Sequence, residues 1–222
     1  KERTRSEMTA FTDRLLECPL IAILRGVRPQ EAPAIAEALL AAGIRIVEVP
    51  LNSPNPINSI KAIAETVGKS MLVGAGTVLD PRDIPKIAAV GGELIVSPHA
   101  DATVVREAKD LGLVAVPGMA TPTEGFRMLD AGADALKLFP AEANPPAVVK
   151  AMAAVFPVGT AILPVGGITQ DNMSGYLDAG ARGFGLGSAL YRPGATADEV
   201  AAKANEFMTA LNAIQKARSE GD

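Results

Sequence analysis

The sequence has no tryptophan, and its 222 residues include one histidine, His99, and one cysteine, Cys18. A lone cysteine excludes an internal disulfide and a cysteine-built metal cage. A lone histidine leaves too few nitrogen ligands for a zinc site, so no metal is expected. Aromatic residues make up only 4%, too few for a platform that stacks single-stranded bases. Basic residues form no block, and 21 Lys and Arg stand against 25 Asp and Glu for a net charge of −4. That balance argues against nucleic acid as a partner. No apolar run reaches the roughly 18 residues of a membrane span, and the polar start Lys1–Ser6 is no signal peptide. A soluble, cytoplasmic protein without a membrane partner is expected. Linkers, low-complexity stretches and breaks in composition are missing as well, so residues 1–222 are expected to form a single domain.

What the chain has in quantity is short apolar runs, within a hydrophobic content of 48%. They are Leu20–Leu24, Ile44–Leu51, Met71–Ala75, Glu93–Ser97, Val114–Val116, Ala135–Phe139, Ala161–Val165 and Gly183–Gly187. Each is followed by a stretch of helical pattern, often Ala-rich. Eight such units are what an α/β protein of the (β/α)₈ TIM-barrel class needs. Gly43, Gly91-Gly92, Gly112, Gly132 and Gly180 punctuate the helix ends. Ala41-Ala-Gly43, Asp130-Ala-Gly132 and Asp178-Ala-Gly180 repeat one ending, as repeated βα units would. Pro29, Pro54, Pro81, Pro122 and Pro146 fall near expected helix starts. Residues 1–17 predict a short N-terminal helix with Met8, Phe11, Leu15 and Leu16 at helical spacing, placed to plug the bottom of the barrel. A doubly wound open sheet is the structural rival; it normally uses fewer strands, and no G-x-G-x-x-G follows the first strand here.

Barrel chemistry sits at the C-terminal ends of the strands, which selects a short list of residues. Lys137 lies in the run Asp134–Ala141, which is otherwise largely apolar. It either reaches water along its stem or occupies a partly dry cavity, where the free amine becomes a nucleophile towards carbonyls. On the second strand Arg45, Val47, Val49 and Leu51 share one side, and Ile46, Glu48 and Pro50 the other. Glu48 and Lys137 are then a structural ion pair filling a barrel layer, or a proton-moving carboxylate beside an amine nucleophile. Burial lowers the amine pKa and a nearby carboxylate raises it, so the net shift stays open. After strands seven and eight, Val165-Gly166-Gly167 and Gly185-Leu-Gly187-Ser188 are tight turns or an anion cradle of bare backbone N–H groups. Arg25 is a solvated loop charge or a clamp on a carboxylate or phosphate. Thr77 is a donor to a substrate carboxylate or a cap for the helix near Pro81. His99 is expected to be supporting or structural, and Cys18 a core filler.

Taken in order, these residues resemble the 2-keto-3-deoxy-6-phospho-sugar-acid aldolases, class I lyases on a (β/α)₈ barrel. The resemblance rests on Pro19-Leu-Ile-Ala-Ile-Leu-Arg-Gly26, Val47-Glu-Val-Pro-Leu-Asn-Ser-Pro54 and Gly74-Ala-Gly-Thr-Val-Leu79. It extends to Pro117-Gly, Leu136-Lys-Leu-Phe-Pro-Ala-Glu142, Val165-Gly-Gly167 and Gly185-Leu-Gly-Ser188. It implies Lys137 as Schiff-base former, Glu48 as general acid/base, and Arg25, Thr77, Gly166, Gly167 and Ser188 as substrate-binding, with Gly187 in the same turn. It also implies a homotrimer, a phosphorylated keto-deoxy sugar acid as substrate, pyruvate as product, and no cofactor. Asn52 and Val165 stand where the gluconate branch of the family usually carries Arg and Thr, so the chain looks like the galactonate branch. Leu138-Phe-Pro-Ala-Glu-Ala143, however, is shared with the gluconate branch. Outside this family, a sugar-phosphate epimerase or isomerase on the same barrel is an alternative. So is a phosphate-binding module without catalysis, which would leave Lys137 and Glu48 unexplained.

Overall fold

The computed structural model describes the backbone of residues 5–221 and the side chains of residues 11–220. Strands run Leu20–Ile23 (β1), Ile46–Pro50 (β2), Leu72–Gly76 (β3), Leu94–Val96 (β4) and Val114–Val116 (β5). They continue as Gly118–Met119 (β6), Leu136–Leu138 (β7), Ile162–Pro164 (β8) and Phe184–Leu186 (β9). Helices are Arg5–Glu17 (α1), Ala32–Ala41 (α2), Pro56–Val67 (α3), Ile84–Ala89 (α4) and Ala102–Asp110 (α5). Then follow Pro122–Asp130 (α6), Pro146–Ala153 (α7), Met173–Asp178 (α8) and Ala197–Gly221 (α9).

All strand pairs are parallel, in one sheet ordered β5-β4-β3-β2-β1-β9 and another ordered β6-β7-β8. Two seams close the ring. Asp134 N donates to Ala115 O (2.9 Å) and Lys137 N to Pro117 O (2.9 Å), joining β5 to β7. A bridge at Val165 and Gly185, with Arg182 N donating to Ile162 O (3.0 Å), joins β8 to β9. The result is a (β/α)₈ barrel. Its fifth position is split into β5 and β6 at Pro117, which has no N–H to give to a ladder. The expected strands hold in order, with shorter paired segments than the apolar runs.

Alternation sorts the strand side chains into two cores. Ile21, Ile46, Leu72, Leu94, Val114 and Leu163 fill the barrel interior. Their neighbours, among them Ala22, Val47, Val73, Ile95, Ala115, Leu136 and Ile162, pack outward with the helices. Phe11 and Leu15 of α1 join the interior group, so α1 plugs the barrel as expected. Leu16 does not belong to that face; it is 75% exposed, because one residue beyond Leu15 turns about 100° round the helix. Met8 lies outside the described side chains. Gly43, Gly91, Gly112, Gly132 and Gly180 all have positive φ at helix ends, between 75° and 103°. Pro122 and Pro146 open α6 and α7, and Pro81 opens a 3₁₀ turn. The first turns of α2 and α3 use Pro33 and Pro56 rather than Pro29 and Pro54. Cys18 is buried, its thiol 3.6 Å from Met208 Sδ.

Candidate active site

Lys137 follows Ala135 on the inward side of β7, and Glu48 follows Ile46 on the inward side of β2. Both are buried, at 5% and 1% exposure. A small space at the core of the barrel touches both, walled by Ile21, Ile23, Val96, Val116, Leu163 and Val165. Burial pushes the Glu48 carboxyl up to about 7, against the pull of Lys137 and Arg25. Burial also lowers the Lys137 pKa; Glu48 opposes that shift and Arg25 adds to it. Desolvation therefore wins at both groups, settling the direction that the sequence left open. The Phe139 ring lies 5.1 Å from Lys137 Nζ and covers it from outside. Glu48 Oε2 has no hydrogen-bond partner among the described residues. A buried carboxylate oxygen left bare is costly in an apolar interior, and is available to a proton brought by a ligand.

Glycine 76 makes room for that carboxylate. A β-carbon there would collide with the Glu48 carboxyl group. Gly76→Ala is therefore expected to displace Glu48 and lower turnover by about tenfold to a hundredfold while the barrel still forms. Steady-state kinetics beside a thermal melt check this; an unchanged kcat would mean that Glu48 is not held where the reaction needs it.

Above this interior a cleft of about 350 Å³ opens between the ends of β1, β7, β8 and β9. Arg25, Lys137, Val165, Gly166, Gly167, Gly187 and Ser188 all line it. Val165 also borders the interior space that holds Lys137 and Glu48. The Gly166-Gly167 turn has φ of 105° and 63°, values that side chains with a Cβ rarely adopt. Among the described residues, the N–H groups of Gly167, Ile168, Ser188 and Ala189 donate to no acceptor. These amides suit an anion. Arg25 Nη1 donates to Asn52 Oδ1 (2.6 Å), and both Nη atoms lie 3.5 Å from Thr77 Oγ1. Asn52 and Thr77 do not line the cleft; they hold the arginine that does. Thr77 has φ 53°, a strained backbone for a β-branched residue. It is not the cap of the Pro81 turn, since Asp80 accepts from Arg82 N there. His99 also lies outside the cleft, half-exposed, with Nε2 3.9 Å from Asp101 Oδ2.

Two charged residues to which the sequence assigned no role share the cleft: Glu142 and Arg192. Glu142 ends a motif quoted above and Arg192 lies one helical turn's length past Ser188, but only the tertiary structure brings them together. A larger, open depression of about 790 Å³ lies between the 188–195 loop and α9. Neither Lys137 nor Glu48 reaches it, so the cleft over β7 is the candidate site.

An amine and a carboxylate buried below an opening lined by backbone amides and two arginines, at the C-terminal end of a (β/α)₈ barrel, place this protein among the α/β-barrel enzymes. A family model described as "KDPG and KHG aldolase" matches residues 11–206. The 2-dehydro-3-deoxy-6-phosphogalactonate aldolase of Escherichia coli K12 is 47% identical over 192 residues, 86% of this chain and 94% of its own length. A solved structure described as native KDPGal has a TM-score of 0.88 at 45% identity, covering 90% of this chain and 97% of that one. The KDPG aldolase of Legionella pneumophila, solved with pyruvate captured at low pH as a covalent carbinolamine intermediate, has a TM-score of 0.78 at 28% identity. It covers 89% of this chain and 96% of its own. The chain belongs to the KDPG and KHG aldolase family. Among the described residues no helix is long and apolar enough to cross a membrane.

Proposed function

We propose that the protein is a class I aldolase that cleaves 2-dehydro-3-deoxy-6-phosphogalactonate to pyruvate and glyceraldehyde 3-phosphate. The observation that carries this reading is that Lys137 and Glu48 border one small interior space, both buried and each shifted towards its neutral form. The Lys137 amine attacks the C2 ketone, giving a carbinolamine that loses water to a protonated Schiff base. That cation draws the C3–C4 bonding pair into an enamine. The Glu48 carboxylate takes the C4 hydroxyl proton, directly or through a water, as the aldehyde forms and glyceraldehyde 3-phosphate leaves. A proton returns to C3, and hydrolysis frees pyruvate and the Lys137 amine. The amides at Gly167 and Ser188 hold the phosphate, and Arg25, fixed by Asn52 and Thr77, holds the carboxylate. Binding energy from both ends aligns the reacting carbons. No step calls for a metal or organic cofactor. The carbinolamine captured in the Legionella relative supports an amine nucleophile. The reading includes a single domain and a cytoplasmic homotrimer.

The galactonate isomer is favoured by the 47% relative and by Val165, whose side chain borders both the Lys137–Glu48 space and the cleft. Turnover of both C4 epimers, with pyruvate release followed, tests it. The parent should prefer the galactonate isomer, and Val165→Thr should move the ratio towards gluconate. An apolar change alone is worth about 1–3 kcal/mol, roughly tenfold to two-hundredfold, and a dedicated hydroxyl partner more. Faster cleavage of the gluconate isomer by the parent would sink the choice of isomer and leave Lys137 and Glu48 in their roles.

A further inference from the structure

The loop that carries Glu142 is tied down beside the glycine turn. Ala141 N donates to Val165 O (2.9 Å), and Asn144 Nδ2 donates to Pro140 O (2.8 Å). The Tyr176 hydroxyl reaches Ala141 O at 3.0 Å and Asn144 O at 3.2 Å. Residues Ala141–Ala143 form a 3₁₀ turn, which leaves the Glu142 side chain over Gly166 and Gly167. A β-carbon on Gly166 would run into Glu142 Oε2, and one on Gly167 would lie 2.6 Å from Glu142 Cγ. Glu142 is the one acid among the residues lining the cleft. It has neither a hydrogen bond nor an ion pair among the described residues.

A cation stands in the same cleft. Arg192 Nε donates to Ser188 O (3.2 Å), and its two Nη groups have no partner among the described residues. Its loop is anchored on both sides. The Tyr191 hydroxyl donates to Glu31 Oε1 (3.1 Å), and a β-carbon on Gly26 would come within 2.7 Å of Pro193 Cγ. The two arginines therefore divide the cleft. Arg25 is close enough to the chemistry to act on the charges of Glu48 and Lys137, whereas Arg192 sits at Ser188.

We infer that the phosphate end of the cleft is charge-balanced: Arg192 clamps the phosphate, while Glu142, seated on the Gly166-Gly167 turn, opposes it and must turn aside as it binds. This rests on the placement of the phosphate at that turn in the function proposed above. An exposed carboxylate beside a dianion raises the energy of the bound state, and the guanidinium fork lowers it. The balance keeps the hold on the phosphorylated product short enough for it to leave.

Calorimetric titration with inorganic phosphate tests the balance without any turnover. Glu142→Gln should bind phosphate about tenfold more tightly, the size of one removed like charge at partial exposure. Arg192→Gln should bind it about tenfold or more weakly, as expected for a lost hydrogen bond between charged groups. Arg192→Lys, which keeps the charge and loses the fork, should fall between parent and Arg192→Gln. Glu142→Gln binding phosphate no more tightly than the parent, or Arg192→Gln no more weakly, overturns the inference. Trapping of pyruvate by borohydride, run on the parent alone, reports separately on Lys137. A parent that binds phosphate with the expected shifts but is not trapped refutes the aldolase reading and not the charge balance.

Discussion

Lys137→Ala is expected to lose cleavage by on the order of 10⁴–10⁶-fold, the scale seen when a covalent nucleophile is removed. Among the described residues the amine is the only group in the cleft that can form a Schiff base, because the other two cations lining it are the arginines Arg25 and Arg192. Guanidinium groups stay protonated and do not add to ketones. The barrel should survive, since Lys137 makes no ion pair among the described residues and its neighbours on β7, Leu136 and Leu138, keep their outward packing. Without the ammonium, one influence that lowers the Glu48 pKa is gone, so that carboxyl should titrate above its present value of about 7. Incubation with pyruvate and borohydride, followed by peptide mass analysis, checks the assignment. The parent should carry a reduced pyruvate adduct on Lys137 and the variant none. An adduct on another lysine, or none in the parent, would end the Schiff-base reading.

Glu48→Gln is the second large effect, expected at about 10²–10⁴-fold in kcat for loss of a positioned proton carrier. Glutamine matches the shape, so the contact with Gly76 and the barrel packing are retained. The pH profile distinguishes a proton carrier from a filler. Cleavage needs the Glu48 carboxylate and the neutral Lys137 amine, so activity should rise with pH through about 7 in the parent. In Glu48→Gln the limb near 7 should vanish, while pyruvate trapping at Lys137 still proceeds more slowly. Stability gives an independent sign. A carboxyl whose folded pKa is raised from 4.5 to about 7 favours the fold most below 4.5, and that contribution is lost as pH rises through 7. The variant should therefore gain on the parent in melting temperature between pH 5 and about 8. A retained limb near 7 in the variant would assign that titration to another group.

The barrel was legible in the chain because its signals are local. Eight apolar runs, glycines at the helix ends and a period of two along β2 report what each segment buries, whatever lies beyond it. Glu48 and Lys137 stood out for the same reason: a charge on the inward side of a buried strand violates the local pattern, and such violations collect at sites of function. Where the reading slipped, the cause was equally local. Leu16 follows Leu15 in sequence but faces another way on the helix. Pro29 and Pro54 do fall just before α2 and α3, but the first turns themselves hold Pro33 and Pro56.

Contacts between loops could not be read in that way. Nothing in their spacing says that Asn52 and Thr77 hold Arg25 instead of lining the cleft, since they lie 27 and 52 residues from it. Nor does the chain disclose that Gly76 clears space for Glu48, or that Glu142 rests on Gly166 and Gly167. The sequence by itself determined the barrel, the two buried charges and the strand ends where chemistry gathers, because alternation and helix punctuation depend on near neighbours. Only the tertiary structure decided the direction of both pKa shifts and the partners of Arg25, and it alone brought Glu142 and Arg192 into one cleft. Desolvation and charge proximity depend on distances between segments far apart in the chain, and closure of the barrel is what sets those distances.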